Sequence, residues 1–195
     1  MLSNPDMSAN AKFGPHLLIV ITVLACSAFA QGTAFPQTSK PCVLPQDLQR
    51  EVAGKYPRAK IIELSDLEED DRKFFQSDHD NSCPGVVKVD FYGDGKPTLA
   101  LVLIPRSGAK GAKESTKLVV AHQDDGKWLI TPLDTGGPTP IAPVVWSLPV
   151  GEYHDVYGDK TIRATNPVIV FCKYESWAIL YAWTGKGVSK IWLMD

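Results

Sequence analysis

The spacing of apolar residues changes along this chain, and the changes divide it into regions. Leu44, Leu48 and Val52 recur every four positions, the stride that keeps side chains on one face of an α-helix. With Pro45 suited to a first helical turn and Tyr56-Pro57 as a stop, this predicts a short amphipathic helix over 45–55. Residues 58–64 (RAKIIEL) read as a short strand. Ser65-Asp66-Leu67-Glu68 then fits a capping box, in which a serine oxygen accepts first-turn amides and a glutamate reaches back. A second helix is therefore expected from Asp66 to about residue 76. Its acidic start (Asp66, Glu68, Glu69, Asp70, Asp71) and basic continuation (Arg72, Lys73) follow the helix dipole. A solvated face accounts for these charges without a metal or a basic partner.

From residue 86 onward the pattern shifts to short β-rich runs at 86–92, 98–104, 116–122, 127–133, 143–148, 167–172, 177–183 and 188–194. Gly, Pro, Asn or Asp separates nearly all of them. Helices at the front and strands behind predict an α+β fold, a mostly antiparallel β-sheet with two short N-terminal helices. In the run 177–183, Trp177, Ile179, Tyr181 and Trp183 share one face while Ala178, Leu180 and Ala182 share the other. Both faces are apolar, so this strand is expected inside a sheet.

Ahead of these elements, the apolar run 17–29 (LLIVITVLACSAF) has about thirteen residues, where a membrane-crossing helix needs roughly twenty. Ending in Ala28-Phe29-Ala30, it reads as the core of a signal peptide cut before Gln31. The segment before it carries Lys12 but also Asp6, and a start at Met7 rather than Met1 gives a cleaner basic opening. The expected organisation is a signal peptide over 1–30, a flexible Gln/Gly/Thr/Pro/Ser lead over 31–41 and a single α+β domain over 42–195. Periplasmic or secreted residence follows. Val23-Leu24-Ala25-Cys26 also resembles a lipobox, which gives an outer-membrane lipoprotein as the alternative, with membrane attachment only through acylation of Cys26. A formal charge of -2 gives no electrostatic reason to expect nucleic acid or an acidic membrane as partner.

Cleavage before Gln31 removes Cys26 and leaves Cys42, Cys83 and Cys172 in an oxidising compartment. Cys172 ends the apolar run 167–172 and reads as a small buried hydrophobe, without the base or helix N-terminus that would activate a thiol. Cys42 and Cys83 each lie beside proline in loop-like sequence and form the expected disulfide. Closing a loop of about forty residues removes denatured-state entropy worth roughly 4 kcal/mol.

Candidate chemistry is sparse. The segment from Asp90 through Phe91, Tyr92, Gly93, Asp94, Gly95 and Lys96 to Thr98 lies between two expected strands. It resembles, in degenerate form, the D-x-x-G-D-G loop of FG-GAP repeats and of EF-hand-like calcium loops. That resemblance implies Asp90, Asp94 and the Lys96 carbonyl as calcium ligands and Gly95 as the turn. Tyr92, Thr98 and Leu101 stand where further ligands would be, which leaves too few oxygens for tight binding. A β-hairpin whose Gly-Asp-Gly supplies positive φ angles is the competing reading.

A longer pattern joins Cys42, Leu44-Pro45, Leu64-Ser65-Asp66-Leu67, Asp70-Asp71-Arg72, Cys83-Pro84-Gly85, residues 90–99, the PVGEY stretch 149–153 and the end through Ile191-Trp192-Leu193. It resembles a family of exported bacterial proteins with no assigned activity. The resemblance implies export and supports Cys42 to Cys83 pairing, and it transfers no catalytic residue.

Among histidines, His79 in Asp78-His79-Asp80-Asn81 has the density of a metal site, and a chain turning into a disulfide explains it as well. His122, beside Asp124 and Asp125, is expected to be exposed at a strand end. The catalytic candidates are His154 with Asp155, which lack a Gly-x-Ser-x-Gly nucleophile elbow, and Glu175 near Trp177, which lacks a second carboxylate. The five tryptophans (128, 146, 177, 183 and 192) suit either core packing or a sugar- or peptide-binding surface. The expected function is a non-enzymatic exported envelope or secreted binding module for a protein or glycan ligand. The alternatives are a small secreted hydrolase and a weak calcium-binding module.

Overall fold

The computed structural model describes residues 42–106, 115–136 and 142–194. The expected signal peptide, the lead 31–41 and Cys26 lie outside the described residues. Helix α1 (Gln46–Lys55) follows Pro45 at its N-cap and buries Leu48 and Val52, the positions its four-residue spacing predicts. A three-residue strand β1 (Ala59–Ile61) comes next, then one 3-10 turn over Leu64–Asp66 and helix α2 (Glu69–His79).

Helix α2 therefore begins three residues later than the expected Asp66 and runs on to His79. The reason is local. Asp66 accepts the Glu63 N–H at 2.9 Å and pairs with Lys60, so this carboxylate caps the 3-10 turn instead of opening the helix. Leu67, at φ -82° and ψ 145°, is extended, and its side chain is buried in the core.

The remaining strands form two sheets and a hairpin, all antiparallel. In the first sheet, β3 (Thr98–Pro105) is central and is flanked on one side by β4 (Lys117–Asp124) and then β5 (Lys127–Thr135). Its other edge is shared between β1, on its second half, and β2 (Val86–Val89), on its first half. The second sheet has the order β11 (Val188–Met194), β10 (Trp177–Trp183), β9 (Val168–Lys173), β6 (Val144–Leu148). Strands β7 (Gly151–His154) and β8 (Thr161–Ala164) make the separate hairpin. Among the described residues this is a mostly antiparallel β architecture with two short helices.

Alternation along the strands builds three apolar clusters. Ala100, Val102, Leu118 and Val120 of the first sheet pack with Ile169, Phe171, Ile179 and Tyr181 of the second and with Phe75 of α2. On the opposite face of the first sheet, Leu101, Leu103, Val119 and Ala121 receive Leu48 and Val52 of α1. On the far face of the second, Leu180, Ala182 and Ile191 are covered by Ile162 and Ala164 of the β7–β8 hairpin. Strand β10 is interior, as its two apolar faces predict.

Some groups on the outer strand edges are engaged by other parts of the chain. On β5 the Ile130 carbonyl accepts from Lys55 Nζ of α1. On β11 the Trp192 N–H donates to Asp155 at 3.1 Å, and its carbonyl accepts the Val156 N–H at 2.8 Å. Lys160 Nζ reaches the Lys190 carbonyl at 3.0 Å. Such contacts fill groups that an edge strand would otherwise offer to another chain. Among the described residues no helix is long and apolar enough to cross a membrane.

Candidate functional site

A cleft of about 360 Å³ opens between the C-terminal end of α2 and the strands β2 and β6. Phe75 and His79 lie four residues apart on α2, one turn up the same face, and both line it. Trp146 on β6 completes a ladder of rings: Phe75 to His79 is 4.8 Å and His79 to Trp146 is 5.0 Å between centroids. Phe75 is fully buried beneath the ladder, whereas His79 and Trp146 keep an accessible edge.

The wall opposite is held by the Cys83-Pro84-Gly85 corner. Cys83 is bonded to Cys42, with their Cα atoms 5.0 Å apart, as the sequence led us to expect. The Pro84 carbonyl accepts the Val145 N–H at 2.9 Å, which ties this corner to β6. Gly85 lies against residue 62 so closely that a Cβ would stand 2.4 Å from the Ile62 carbonyl oxygen. No larger residue fits there without moving backbone.

Burial lowers the His79 pKa, outweighing the opposing charge of Asp78, so the ring is neutral at pH 7 and acts as a stacking and hydrogen-bonding surface. Ser82 and Ser147 bring hydroxyls to the cleft, and Lys88 brings its one charged side chain among the described residues. The Cys83 sulfur in its wall is held in the disulfide. The described lining thus offers stacked rings, hydroxyls and one cation to a ligand.

Of the candidates read from sequence, His79 and Trp146 line this cleft and the others fall elsewhere. In the β2–β3 loop, Asp90 turns inward, one oxygen accepting the Gly93 N–H at 3.0 Å and the other the Gly95 N–H at 3.2 Å. Asp94 accepts the Lys96 N–H at 3.0 Å and lies 3.4 Å from His122 Nε2. Gly93 and Gly95 have φ of 70° and 75°, the positive angles that a turn here demands. Both carboxylates thus already accept amides of their own loop.

His122 is less open than a strand-end histidine was expected to be, with 17% of its side chain exposed. Tyr92 lies edge-on to it at 4.9 Å and to Trp183 at 5.1 Å, covering the ring. Thr98 is its cross-strand partner, so the β3–β4 register carries His122 to the aspartate loop. Thr98 Oγ1 and His122 Nδ1 are buried without a hydrogen-bond partner among the described residues.

His154 is exposed, 3.1 Å from Thr161 Oγ1 and 3.5 Å from Glu152. Its neighbour Asp155 spends its carboxylate on the Tyr157 N–H at 3.0 Å and on the Trp192 N–H. That bonding anchors a loop and leaves the His154 ring to other partners. Glu175 sits exposed at φ 56° in the turn from β9 to β10, on a different element from His154. Cys172 is buried and free, and burial followed by the Asp71 charge pushes its thiol up to about 12.

Sequence reasoning missed the ring ladder. The i, i+4 spacing of Phe75 and His79 was available, but Trp146 comes from a strand far along the chain, and nothing local links the two. Trp146, Trp177, Trp183 and Trp192 all pack half-buried against the central cluster, and Trp128 packs against the α1 side. The tryptophans thus serve the core with one ring face or edge and the surface with another.

No family model matches the chain. Neither a curated protein nor a solved structure matches it.

Proposed function

We propose that this protein is an exported, non-enzymatic binding module that holds a glycan or peptide ligand in the cleft between α2, β2 and β6. The observation that carries this reading is the Phe75–His79–Trp146 ladder, whose upper rings are accessible above a fully buried base. Flat rings backed by a packed core give contact area at low entropic cost, and Ser82, Ser147 and Lys88 add the few polar groups that orient a ligand. Export is supported by the apolar leader of the sequence and by the Cys42–Cys83 disulfide, which an oxidising compartment favours. The resemblance to exported bacterial proteins points the same way.

The test is a panel of oligosaccharides and unstructured peptides, titrated against intrinsic tryptophan fluorescence. Saturable binding by a panel member, reduced about tenfold or more in Trp146→Ala and retained in Trp128→Phe, is the expected result. Equal affinity in Trp146→Ala and wild type would remove the cleft as the site.

A further inference from the structure

Along an antiparallel strand, successive residues turn their N–H and C=O first toward one neighbour and then toward the other, so one bond of known direction fixes a whole edge. Strand β6 is the outermost strand of the second sheet, paired on one side with β9. The Val145 N–H leaves that ladder and donates to the Pro84 carbonyl at 2.9 Å. Val145 therefore faces away from β9, and Ser147, two residues on, faces the same way. The same argument applies to β2. The Gly85 carbonyl accepts the Val102 N–H of β3, which turns Val87 and Val89 toward β3 and leaves Lys88 facing outward, like the Pro84 carbonyl.

Two strand edges thus border the aromatic cleft, joined by the Val145 to Pro84 bond and with no ladder between them. Ser147 and Lys88 are exposed, and both line the cleft. On β5 and β11 the outward groups meet Lys55, Asp155 and Lys160. Among the described residues nothing engages the outward N–H and C=O of Ser147. An open edge of this kind is a template for one more strand. A residue paired opposite Trp146 would project on the face that Trp146 occupies, toward the His79 ring. Lys88 lines the cleft without an ion pair among the described residues, and a carboxylate complements it.

We propose that the occupant of the cleft is an extended, acidic segment of another polypeptide that adds to the outer edge of β6, an inference that rests on the cleft being the binding site. Its backbone exchanges N–H and C=O bonds with Ser147. An apolar side chain opposite Trp146 meets the rings, and a carboxylate of the segment pairs with Lys88.

The probe is an acetylated and amidated heptapeptide, Glu-Val-Thr-Val-Thr-Val-Glu, titrated against isotope-labelled protein by heteronuclear NMR. Saturable shifts of the Trp146 and Ser147 amides are expected, with slowed hydrogen exchange of the Ser147 N–H in the complex. With the valines toward the rings, the threonine nitrogens face β6. Methylating those nitrogens should weaken binding about tenfold or more, and methylating the valine nitrogens should weaken it less. Lys88→Ala should weaken the peptide about threefold and leave unchanged a counterpart with glutamine for glutamate. Unchanged exchange of the Ser147 N–H under saturating peptide, or equal affinity for the parent and threonine-methylated peptides, would overturn the proposal. Binding of an oligosaccharide that depends on Trp146, with no peptide shift, would also overturn it while keeping the cleft as the site. If neither class binds, the cleft reading itself falls.

Discussion

The Tyr181 hydroxyl, buried on the interior strand β10, donates to the Asp134 carboxylate on β5 and so joins the two sheets by a side-chain hydrogen bond. Lys190 Nζ lies 3.2 Å from the same carboxylate oxygen, and the Thr135 N–H reaches the other at 2.6 Å. Burial works to raise the Asp134 pKa, but the hydrogen bonds from Tyr181, Thr135 and Lys190 outweigh it and hold the carboxyl below its ordinary value. A depressed folded-state pKa contributes stability that is present above the unfolded value of about 4 and is lost as pH falls through the folded one. Tyr181→Phe should therefore cost about 1–3 kcal/mol in urea unfolding at pH 7, and the gap should narrow as pH falls below about 4. A difference independent of pH would contradict the charge-assisted bond.

Asp71 shows the opposite sign. It is buried on α2, and desolvation, followed by the charges of Glu68, Glu175 and Asp70, raises its pKa, with Lys173 opposing. The neutral carboxyl is then the form the fold prefers, so its contribution is complete at low pH and is lost as pH rises through the folded value. Asp71→Asn should raise the melting temperature at pH 7 and leave it nearly unchanged at about pH 3, where both side chains are uncharged. A lower melting temperature at neutral pH would show that the carboxylate has a stabilising partner.

Two glycines offer a matched comparison of space. Gly85→Ala forces a methyl against the Ile62 carbonyl, and moving that backbone should cost roughly 2 kcal/mol or more by denaturant titration. Gly54, in the last turns of α1, has nothing within 4 Å of its would-be Cβ. Gly54→Ala should accordingly stabilise the protein, by up to about 1 kcal/mol.

The sulfur chemistry is equally open to measurement. Cys42 and Cys83 are 41 residues apart, and the paired Cys42→Ala, Cys83→Ala variant should lose up to roughly 4 kcal/mol through the freed denatured chain. The buried Cys172 thiol, pushed up to about 12, should resist iodoacetamide at pH 8 in the native protein and react promptly once urea unfolds it. Rapid native labelling would mean that β9 opens readily to solvent.

Local periodicity made much of the fold legible. Leu48 and Val52 identified α1, and the two apolar faces of 177–183 identified an interior strand. The β7–β8 hairpin was not legible, because only Ile162 and Ala164 are buried in it, too few to set a strand period. At α2 the Ser65 box was misleading, since the Asp66 carboxylate, drawn to Lys60 and the Glu63 amide, was already spent one turn earlier. The disulfide could be read from local composition. The cleft could not, because it requires a tryptophan from β6 to meet a histidine from α2, and sequence spacing carries no information about which strand edge lies beside which helix.

The bonding of Asp155 to Trp192 gives a different meaning to a residue that, in the sequence, looked like a helper for a histidine base. A neighbouring molecule that approaches the outer rim of β11 at Lys190 and Trp192 meets a carboxylate, the Val156 backbone and a lysine already in place, so those rungs are closed to recruits. In a crowded compartment this turns the 155–160 loop into a bumper, keeping one copy from templating the next.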